Sequence, residues 1–269
     1  MITFFQLGKY GAIGNQLFQY ATLYSIGKIN NYEIKIPKTE EHFDEGTNRI
    51  QHYFLNCFDN ISAQILTEQD ATSIKYKAYD GNAISYNKDI FNIPDFTTLE
   101  GYFQSYKYFH IFKKNLKEQL KFKQSIKNSA DKKYNINYKD FTSVHLRYGD
   151  YAHRQDHHPI MDKDYYQRAF DLINCSNCLV FSDSIDYAKN IFNEFKDINF
   201  TYIENNHAFE DMYIMSNCKN NILANSSFSW WAAWLNENNK VIAPRNWLGP
   251  AYNGKWNLDD LIPKEWIII

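Results

Sequence analysis

The stretch FTSVHLRYGD, Phe141–Asp150, joins an apolar strand to a polar turn. Its pattern up to Arg147 is typical of a β-strand, and Gly149 lets the chain turn after it. His145 and Arg147 stand two residues apart, so both project from one face of the strand. Arginine suits a diphosphate, because its fork of N–H donors matches phosphate oxygens and its charge is permanent. An ion pair of Arg147 with Asp150 that only stiffens the loop explains the same spacing, and the sequence leaves both interpretations open.

From this stretch onward, strand patterns alternate with helix patterns. Strands are expected at Phe141–Arg147, Cys178–Ser182, Asn199–Ile203, Asn221–Ala224 and Lys240–Ala243. Helices are expected near residues 162–173, 185–195, 208–218 and 228–236. This order predicts an α/β fold with parallel strands and right-handed crossovers. Ligands of such sheets bind beyond the carboxyl ends of the strands, where this half carries the polar residues Arg147–Asp150, Asp183 and Asn225–Ser227.

Two of these strand ends have more than one interpretation. Asn225–Ser227 precedes a helix, whose free N–H groups and partial positive charge bind phosphate, and Ser226 or Ser227 can add a hydroxyl. An ordinary N-cap explains the same residues. The carboxylate of Asp183 can accept the paired N–H groups of a guanine edge, or it can cap the following helix. The tryptophans that follow at helical spacing, Trp230, Trp231 and Trp234, are expected in the core.

Two further acidic or histidine-rich segments resemble metal sites only superficially. Asp162 and Asp164 form a D-x-D sequence, but a helix starts directly after it, so N-capping is predicted. The cluster of His153, Asp156, His157 and His158 lacks the spacing of a shared metal site and is expected in an exposed loop close to a substrate.

The first half opens with a β–loop–α–β unit. A strand is expected over Ile2–Leu7, a loop over Gly8–Gly14, a helix from Asn15 to about Ile29 and a strand over Tyr32–Ile36. The loop lacks G-x-G-x-x-G, so a dinucleotide site and an oxidoreductase are unsupported. Gly14 still allows close approach of the backbone to a ligand, and Asn15 presents an amide at the helix start. A helix cap is the alternative role of Asn15.

The bulk properties exclude several classes of protein. A net charge of −2 argues against nucleic-acid binding, which requires a basic face. The Lys-rich segment Lys113–Lys123 fits the solvated face of an amphipathic helix, or a surface for anionic lipid or diphosphate acceptors. Its 269 residues suit one large domain or two smaller ones. The two halves differ in pattern, so the chain is divided here into 1–138 and 139–269.

Cysteine usage and hydropathy favour a cytoplasmic protein. Cys175 and Cys178 form one C-x-x-C, but no second pair completes a zinc site, so burial is expected to explain them. The N-terminal residues lack the pattern of a signal peptide, and no apolar run approaches the roughly 20 residues of a membrane span. If the protein acts on a lipid-linked molecule, it is therefore expected to meet that molecule at the inner face of the membrane.

Five segments in order resemble the bacterial α-1,2-fucosyltransferases of glycosyltransferase family 11. They are GAIGNQLFQYA at Gly11–Ala21, GYFQS at Gly101–Ser105, HLRYGDY at His145–Tyr151, FSDS at Phe181–Ser184 and NSSFSWW at Asn225–Trp231. The resemblance implies a GT-B-like fold in which two Rossmann-type lobes face each other across a cleft. Residues 1–138 would form the acceptor-side lobe and residues 139–269 the GDP-sugar-binding lobe.

The resemblance also implies the reaction. L-Fucose would pass from GDP-fucose to a hydroxyl of a glycan, with inversion and without a metal or another cofactor. A galactose-containing oligosaccharide or lipid-linked glycan is the expected acceptor, at O2 of the galactoside. A transferase for another nucleotide sugar and a non-catalytic carbohydrate-binding relative are the alternatives.

The same resemblance assigns site residues. His145 would contact the guanine side and Arg147 the β-phosphate, while Asp183 would help to hold guanine. The diphosphate would be held by Ser226, Ser227 and the backbone at Phe228, in a donor site that also includes Gly14 and Asn225. Asn15 would lie near the sugar and the incoming hydroxyl. Asp150 is the first candidate for a general base, with orientation of Arg147 as its other possible role. Tyr148 departs from the family pattern, which has a second arginine there, and this raises the question of weaker donor affinity.

Overall fold

The computed structural model describes residues 1–9, 11–44, 49–73, 77–81, 85–237, 239–252 and 258–269. Contacts divide the chain into a first unit, Met1–Lys121 with Trp256–Pro263, and a second unit, Phe122–Lys255 with Lys264–Ile269. The division falls after Lys121 and not after residue 138, as was predicted from the sequence. The difference arises because the helix at Gln124–Tyr134 packs against the helix at Ala208–Asn217 in the second unit.

The first unit is built on a five-stranded parallel sheet. Its elements are β1 (Ile2–Thr3), α1 (Ile13–Asn30), β2 (Ile34–Ile36), β3 (His42–Asp44), β4 (Arg49–Gln51), β5 (Gln64–Ile65), α2 (Glu68–Ser73), β6 (Lys77–Gly81), β7 (Thr97–Gly101) and α3 (Lys113–Gln119). The sheet order is β5-β2-β1-β7-β6, and β3 pairs with β4 in a separate antiparallel hairpin. The first strand is shorter than expected, because the chain turns after Thr3 and Leu7 donates its N–H to the Phe4 carbonyl.

The helix α1 is buried along most of its length, including polar side chains. Gln16 is buried because its Nε2 donates to the carbonyls of Gly11 and His52, while its Oε1 accepts from the Phe54 N–H. Buried amides of this kind must find partners, since a missing hydrogen bond costs about 1–3 kcal/mol. The motif around Gln16 therefore anchors the loops that surround α1.

The second unit is a six-stranded parallel sheet with helices. Its elements are α4 (Gln124–Tyr134), β8 (Thr142–Leu146), α5 (Lys163–Ile173), β9 (Asn177–Ser182), α6 (Ile185–Phe192), β10 (Asn199–Tyr202), α7 (Ala208–Asn217), β11 (Asn220–Ile222), α8 (Ser227–Leu235), β12 (Lys240–Ala243) and β13 (Ile267–Ile268). The order is β10-β9-β8-β11-β12-β13, which places the reversal of strand order between β8 and β11. Open sheets of this type bind ligands at that switch point. The predicted α/β alternation is confirmed.

The core of the second unit is aromatic. Tyr166, Phe170 and Phe192 pack around the buried strands β8 and β9. Trp230 and Trp231 are fully buried and Trp234 is 4% exposed, which confirms the prediction that these tryptophans serve packing. None of the helices in the described part of the chain has the length and apolar character that a bilayer crossing requires.

Candidate functional site

Arg147 follows β8 directly and is held by two carboxylates. Its Nη2 lies 2.5 Å from Asp150 Oδ1, and its Nη1 pairs with Asp183 Oδ2 at the end of β9. The Arg147 side chain is 13% exposed, so the pairs are partly shielded from water. The predicted residues Arg147, Asp150 and Asp183 thus meet at one edge of the sheet. Asp150 orients Arg147 in this arrangement, which is one of its two predicted roles.

Asp183 also fixes the turn after β8. Its Oδ1 accepts the Tyr148 N–H at 2.9 Å. A Cβ atom at Gly149 would lie only 2.3 Å from Asp183 Oδ2, so any larger residue would displace the carboxylate. Glycine is therefore favoured here by the close approach of a side chain rather than by an unusual backbone angle. Both carboxylate oxygens of Asp183 are engaged by the chain itself, and its role toward guanine stays a prediction.

His145 is buried beneath this cluster, with 6% of its surface exposed. The Tyr166 hydroxyl donates to the His145 carbonyl at 3.0 Å, while the imidazole Nδ1 meets no hydrogen-bond partner among the described residues. Burial lowers the pKa of His145 to about 4, with Asp183 opposing the shift and Arg147 adding to it. The ring is consequently neutral at pH 7 and lies 5.9 Å from the Phe228 ring.

The start of α8 lies beside the end of β8. Ser226 caps α8, since its Oγ accepts the Phe228 N–H at 3.3 Å. Asn225 anchors the turn: its Nδ2 donates to the carbonyls of Pro159 and Trp247, at 3.0 and 3.1 Å. Ser227 opens the helix and is partly exposed. The cap interpretation of this turn is confirmed, and it leaves the helix N-terminus facing the same edge of the sheet as Arg147.

Tyr151 connects the end of β8 to the turn before α8, a role that was not predicted from the sequence. The Arg147 guanidinium lies 5.1 Å from its ring centroid, and the His158 ring stacks on it at 4.8 Å. The Tyr151 hydroxyl donates to the Asn225 carbonyl at 3.1 Å. The position of Tyr151 directly after the polar turn could have indicated this role, because a tyrosine ring can pack on a cation while its hydroxyl donates a hydrogen bond.

Tyr148 turns away from this network. Its ring stacks on Tyr187 of α6, with centroids 3.8 Å apart and planes at 22°. The residue also packs against the aromatic core of the second unit. The position at which the family pattern has a second arginine thus serves packing in this chain.

The two segments that resembled metal sites have structural roles. Asp162 caps α5, its carboxylate accepting the Tyr165 N–H at 2.8 Å, which confirms the predicted cap. In the histidine-rich loop, His157 Nδ1 lies 2.8 Å from Asp156 Oδ1, and the carbonyls of both residues accept N–H groups from Gly249 and Ala251. This loop is therefore tied to the segment after β12.

Gly14 and Asn15 lie in the first unit, at the start of α1. The N-cap of α1 is Ala12, so the alternative role of Asn15 as a cap is wrong: the helix begins two residues earlier than expected. Instead, Asn15 Oδ1 accepts a hydrogen bond of 2.6 Å from Gln104 Nε2. This bond joins the first two family-like segments, and the predicted roles of Gly14 and Asn15 toward a sugar stay predictions.

Asp211 is a carboxyl group with a raised pKa, which was not predicted from the sequence. It lies in the first turn of α7, and Asn206 Nδ2 donates to it at 2.9 Å. Burial raises the pKa of Asp211 to about 7, against the opposing hydrogen bond from Asn206. Two acidic residues that open a helix give no signal in the sequence that the pKa of one of them is raised.

Comparisons with known proteins place the chain in a family. It is 28% identical to an α-1,2-colitosyltransferase of Escherichia coli over 96% of each chain. It is 39% identical to the O-antigen biosynthesis glycosyltransferase WbnK of Escherichia coli, over 45% of this chain and only 43% of that protein. It is 25% identical to galactoside α-(1,2)-fucosyltransferase 2 of Pongo pygmaeus, over 84% of this chain and 67% of that protein.

Two solved structures share the fold. POFUT1 in complex with GDP-fucose gives a TM-score of 0.55 at 12% identity, over 89% of this chain and 96% of that one. The α-1,6-fucosyltransferase NodZ soaked with GDP-fucose gives 0.51 at 13% identity, over 86% and 91%. Both likenesses concern the α/β architecture alone. Since the model of Glycosyl transferase family 11 matches residues 2–269, the chain belongs to that glycosyltransferase family.

Proposed function

We propose that this chain transfers L-fucose from GDP-fucose to a glycan hydroxyl, O2 of a galactoside, with inversion at the anomeric carbon. Membership of family 11 supports glycosyl transfer. A relative named as a galactoside α-(1,2)-fucosyltransferase supports the acceptor and linkage. Two structures of the same fold that were obtained with GDP-fucose support the donor.

One observation carries the proposal: the end of β8 and the start of α8 lie side by side at the switch point of the sheet. The contact of His145 with Phe228 and the hydrogen bond from Tyr151 to Asn225 hold them together. Arg147 and the N–H groups of α8 can therefore act on one pyrophosphate. As the fucosyl–oxygen bond breaks, negative charge grows on the β-phosphate, and fixed donors stabilise it without reorganising. We propose that these groups act without a metal ion.

The carboxylates around Arg147 shape this chemistry. Asp150 and Asp183 give the cluster one positive and two negative charges. A pyrophosphate thus competes with a carboxylate for the guanidinium, which favours its release after transfer. Asp150 is also the proposed base for the acceptor hydroxyl, since its carboxylate pairs with Arg147 and so lies near the proposed leaving group. A GT-B-like arrangement of the two units and a cytoplasmic location, at the inner face of the membrane for a lipid-linked acceptor, stay predictions.

The decisive variant is Arg147→Ala. Transfer from GDP-fucose to a panel of galactosides should fall by about 100- to 1000-fold, as for loss of a preorganised donor. Arg147→Lys should recover only part of it, because an ammonium cannot form the paired contacts of a guanidinium. The control is Arg168→Ala, which removes an equal charge from a side chain whose Nε donates to the Asp164 carbonyl on the same helix. Near-normal turnover of Arg147→Ala would contradict the proposal. Calorimetry with GDP alone tests the carbohydrate-binding alternative, because such a protein would bind glycans but not GDP.

A colitosyl donor is the second candidate, because the α-1,2-colitosyltransferase matches over 96% of both chains. A direct competition between the fucosyl and colitosyl nucleotides separates the two. Preferential consumption of the fucosyl nucleotide supports the first proposal, and the opposite preference supports the second.

A further inference from the structure

Cys175 and Cys178 form a close pair of free thiols that is not part of the site around Arg147. Their Sγ atoms lie 3.1 Å apart, Cys175 in the turn after α5 and Cys178 near the start of β9. Cys178 pairs in register with Thr142 at the start of β8, so the thiols occupy the amino edge of the sheet. The residues discussed around Arg147 follow the opposite, carboxyl edge.

We propose that Cys175 and Cys178 are a thiol–disulfide exchange site that reacts with low-molecular-weight disulfides such as oxidised glutathione. The Cys175 thiolate attacks one sulfur of the glutathione disulfide, forms a mixed disulfide and releases one glutathione thiolate. Cys178 then loses its proton and attacks the Cys175 sulfur, which releases the second glutathione. Two protein thiols become one disulfide, and one glutathione disulfide becomes two thiols, so electrons and protons balance.

The geometry assigns the first step to Cys175. Its side chain is partly exposed, whereas Cys178 is fully buried and cannot meet a large disulfide first. A hydrogen bond from Cys178 lowers the pKa of the Cys175 thiol against the effect of burial, and the Thr142 hydroxyl contributes in the same direction. Burial raises the pKa of Cys178. Low-pKa, accessible thiols are the reactive ones.

The geometry also permits the second step. The two sulfurs need to approach by about 1 Å to reach bonding distance. Cys175 belongs to a turn rather than to a strand, so this movement displaces no sheet hydrogen bond. The remaining cysteines, Cys57 and Cys218, are buried, and Cys218 Sγ already donates to the Ile214 carbonyl.

The test is exposure of the folded, reduced protein to oxidised glutathione, followed by alkylation and mass analysis. Trypsin cleaves after Arg168 and Lys189 and leaves both cysteines in one peptide, AFDLINCSNCLVFSDSIDYAK. In the wild type this peptide should become lighter by two hydrogens and carry no glutathione. In Cys178→Ser it should carry one glutathione on Cys175. In Cys175→Ser it should react at least about 10-fold more slowly, because only a buried thiol remains.

Cys57→Ser and Cys218→Ser are the matched controls and should behave as the wild type. Glutathione retained on the wild-type peptide, an unmodified Cys175 in Cys178→Ser, or full reactivity of Cys175→Ser would each overturn the proposal. The wild-type peptide alone decides the case if a serine variant fails to fold. None of these readouts depends on fucosyl transfer, so the outcome is independent of the proposed function.

Discussion

The Tyr151 hydroxyl donates a hydrogen bond of 3.1 Å to the Asn225 carbonyl, and these residues stand 74 positions apart in the chain. Tyr151 also packs against Arg147. Through this one side chain, the arginine that follows β8 is tied to the residue that precedes the capped start of α8. In the proposed function these two groups share one pyrophosphate, and Tyr151 contacts both of them.

Removal of that hydroxyl should loosen the link without disturbing the ring. Tyr151→Phe is expected to lower kcat for transfer by about 3- to 10-fold, the cost of one hydrogen bond of about 1 kcal/mol. Steady-state kinetics measure this effect. Tyr213→Phe, which removes a hydroxyl bonded to Asp131 on α4, is the matched control and should leave transfer unchanged. Equal kinetics of the two variants would show that the link has no role in catalysis.

A methyl group at position 149 should disturb the ion pair between Asp183 and Arg147. Gly149→Ala places a Cβ too close to Asp183 Oδ2, so the carboxylate has to move and its ion pair with Arg147 is expected to weaken. We expect kcat/KM to fall by roughly 10-fold or more, as for other misplacements of positioning groups. In a protein that already carries Asp183→Ala, Gly149→Ala should lower kcat/KM no further, because the carboxylate with which its Cβ clashes is absent. Additive costs in this double-mutant cycle would be inconsistent with the steric explanation.

An arginine at position 148 should do little for donor binding. The Tyr148 ring stacks on Tyr187, away from Arg147, so Tyr148→Arg places its charge against α6. We expect the KM for GDP-fucose to change by less than about 5-fold, the scale of a partly exposed ion pair. Tyr148→Phe keeps the stack and serves as the control. A gain in donor affinity of about 100-fold or more would mean that position 148 reaches the pyrophosphate.

Stability at acid pH should depend on His145. Its pKa is about 4 in the folded chain and 6.5 when unperturbed, so the unfolded state binds the proton first as pH falls. The stability due to the neutral imidazole is complete above pH 6.5 and is lost between 6.5 and about 4. Thermal unfolding of His145→Gln should show a shallower decrease of Tm across this window than the wild type. Parallel curves for the two proteins would exclude a folded-state pKa shift of this size.

Asp211 should have the opposite effect. Its pKa is about 7 when folded and 3.8 when unperturbed, so folding favours the protonated carboxyl. The associated stability is present below pH 3.8 and is lost as pH rises to about 7. Asp211→Asn, which mimics the protonated group, should raise Tm at pH 8 and leave it nearly unchanged at pH 4. A variant that is less stable than the wild type at pH 8 would contradict this prediction.

The sequence by itself determined much of the second unit. Five predicted strands match β8 to β12 to within a residue or two. Short apolar runs predict buried strands, and apolar residues repeated every three or four positions predict the amphipathic helices between them. Local hydrogen-bond chemistry likewise identified Asp162 as a cap. The sequence missed α4, where Ala130 is the buried residue of a largely polar helix, since such a surface leaves no periodic signal.

Only the tertiary structure decided which polar residues meet. Asp183 lies 36 positions from Arg147 and Gln104 lies 89 positions from Asn15, yet each pair is hydrogen bonded. The prediction of Asn15 as a helix cap was wrong for the same reason, because its side chain accepts a hydrogen bond from the distant Gln104 amide and does not cap the helix. Local patterns encode burial and helix ends, whereas the pairing of distant side chains depends on strand order in the sheet, and strand order is fixed only when the whole chain packs.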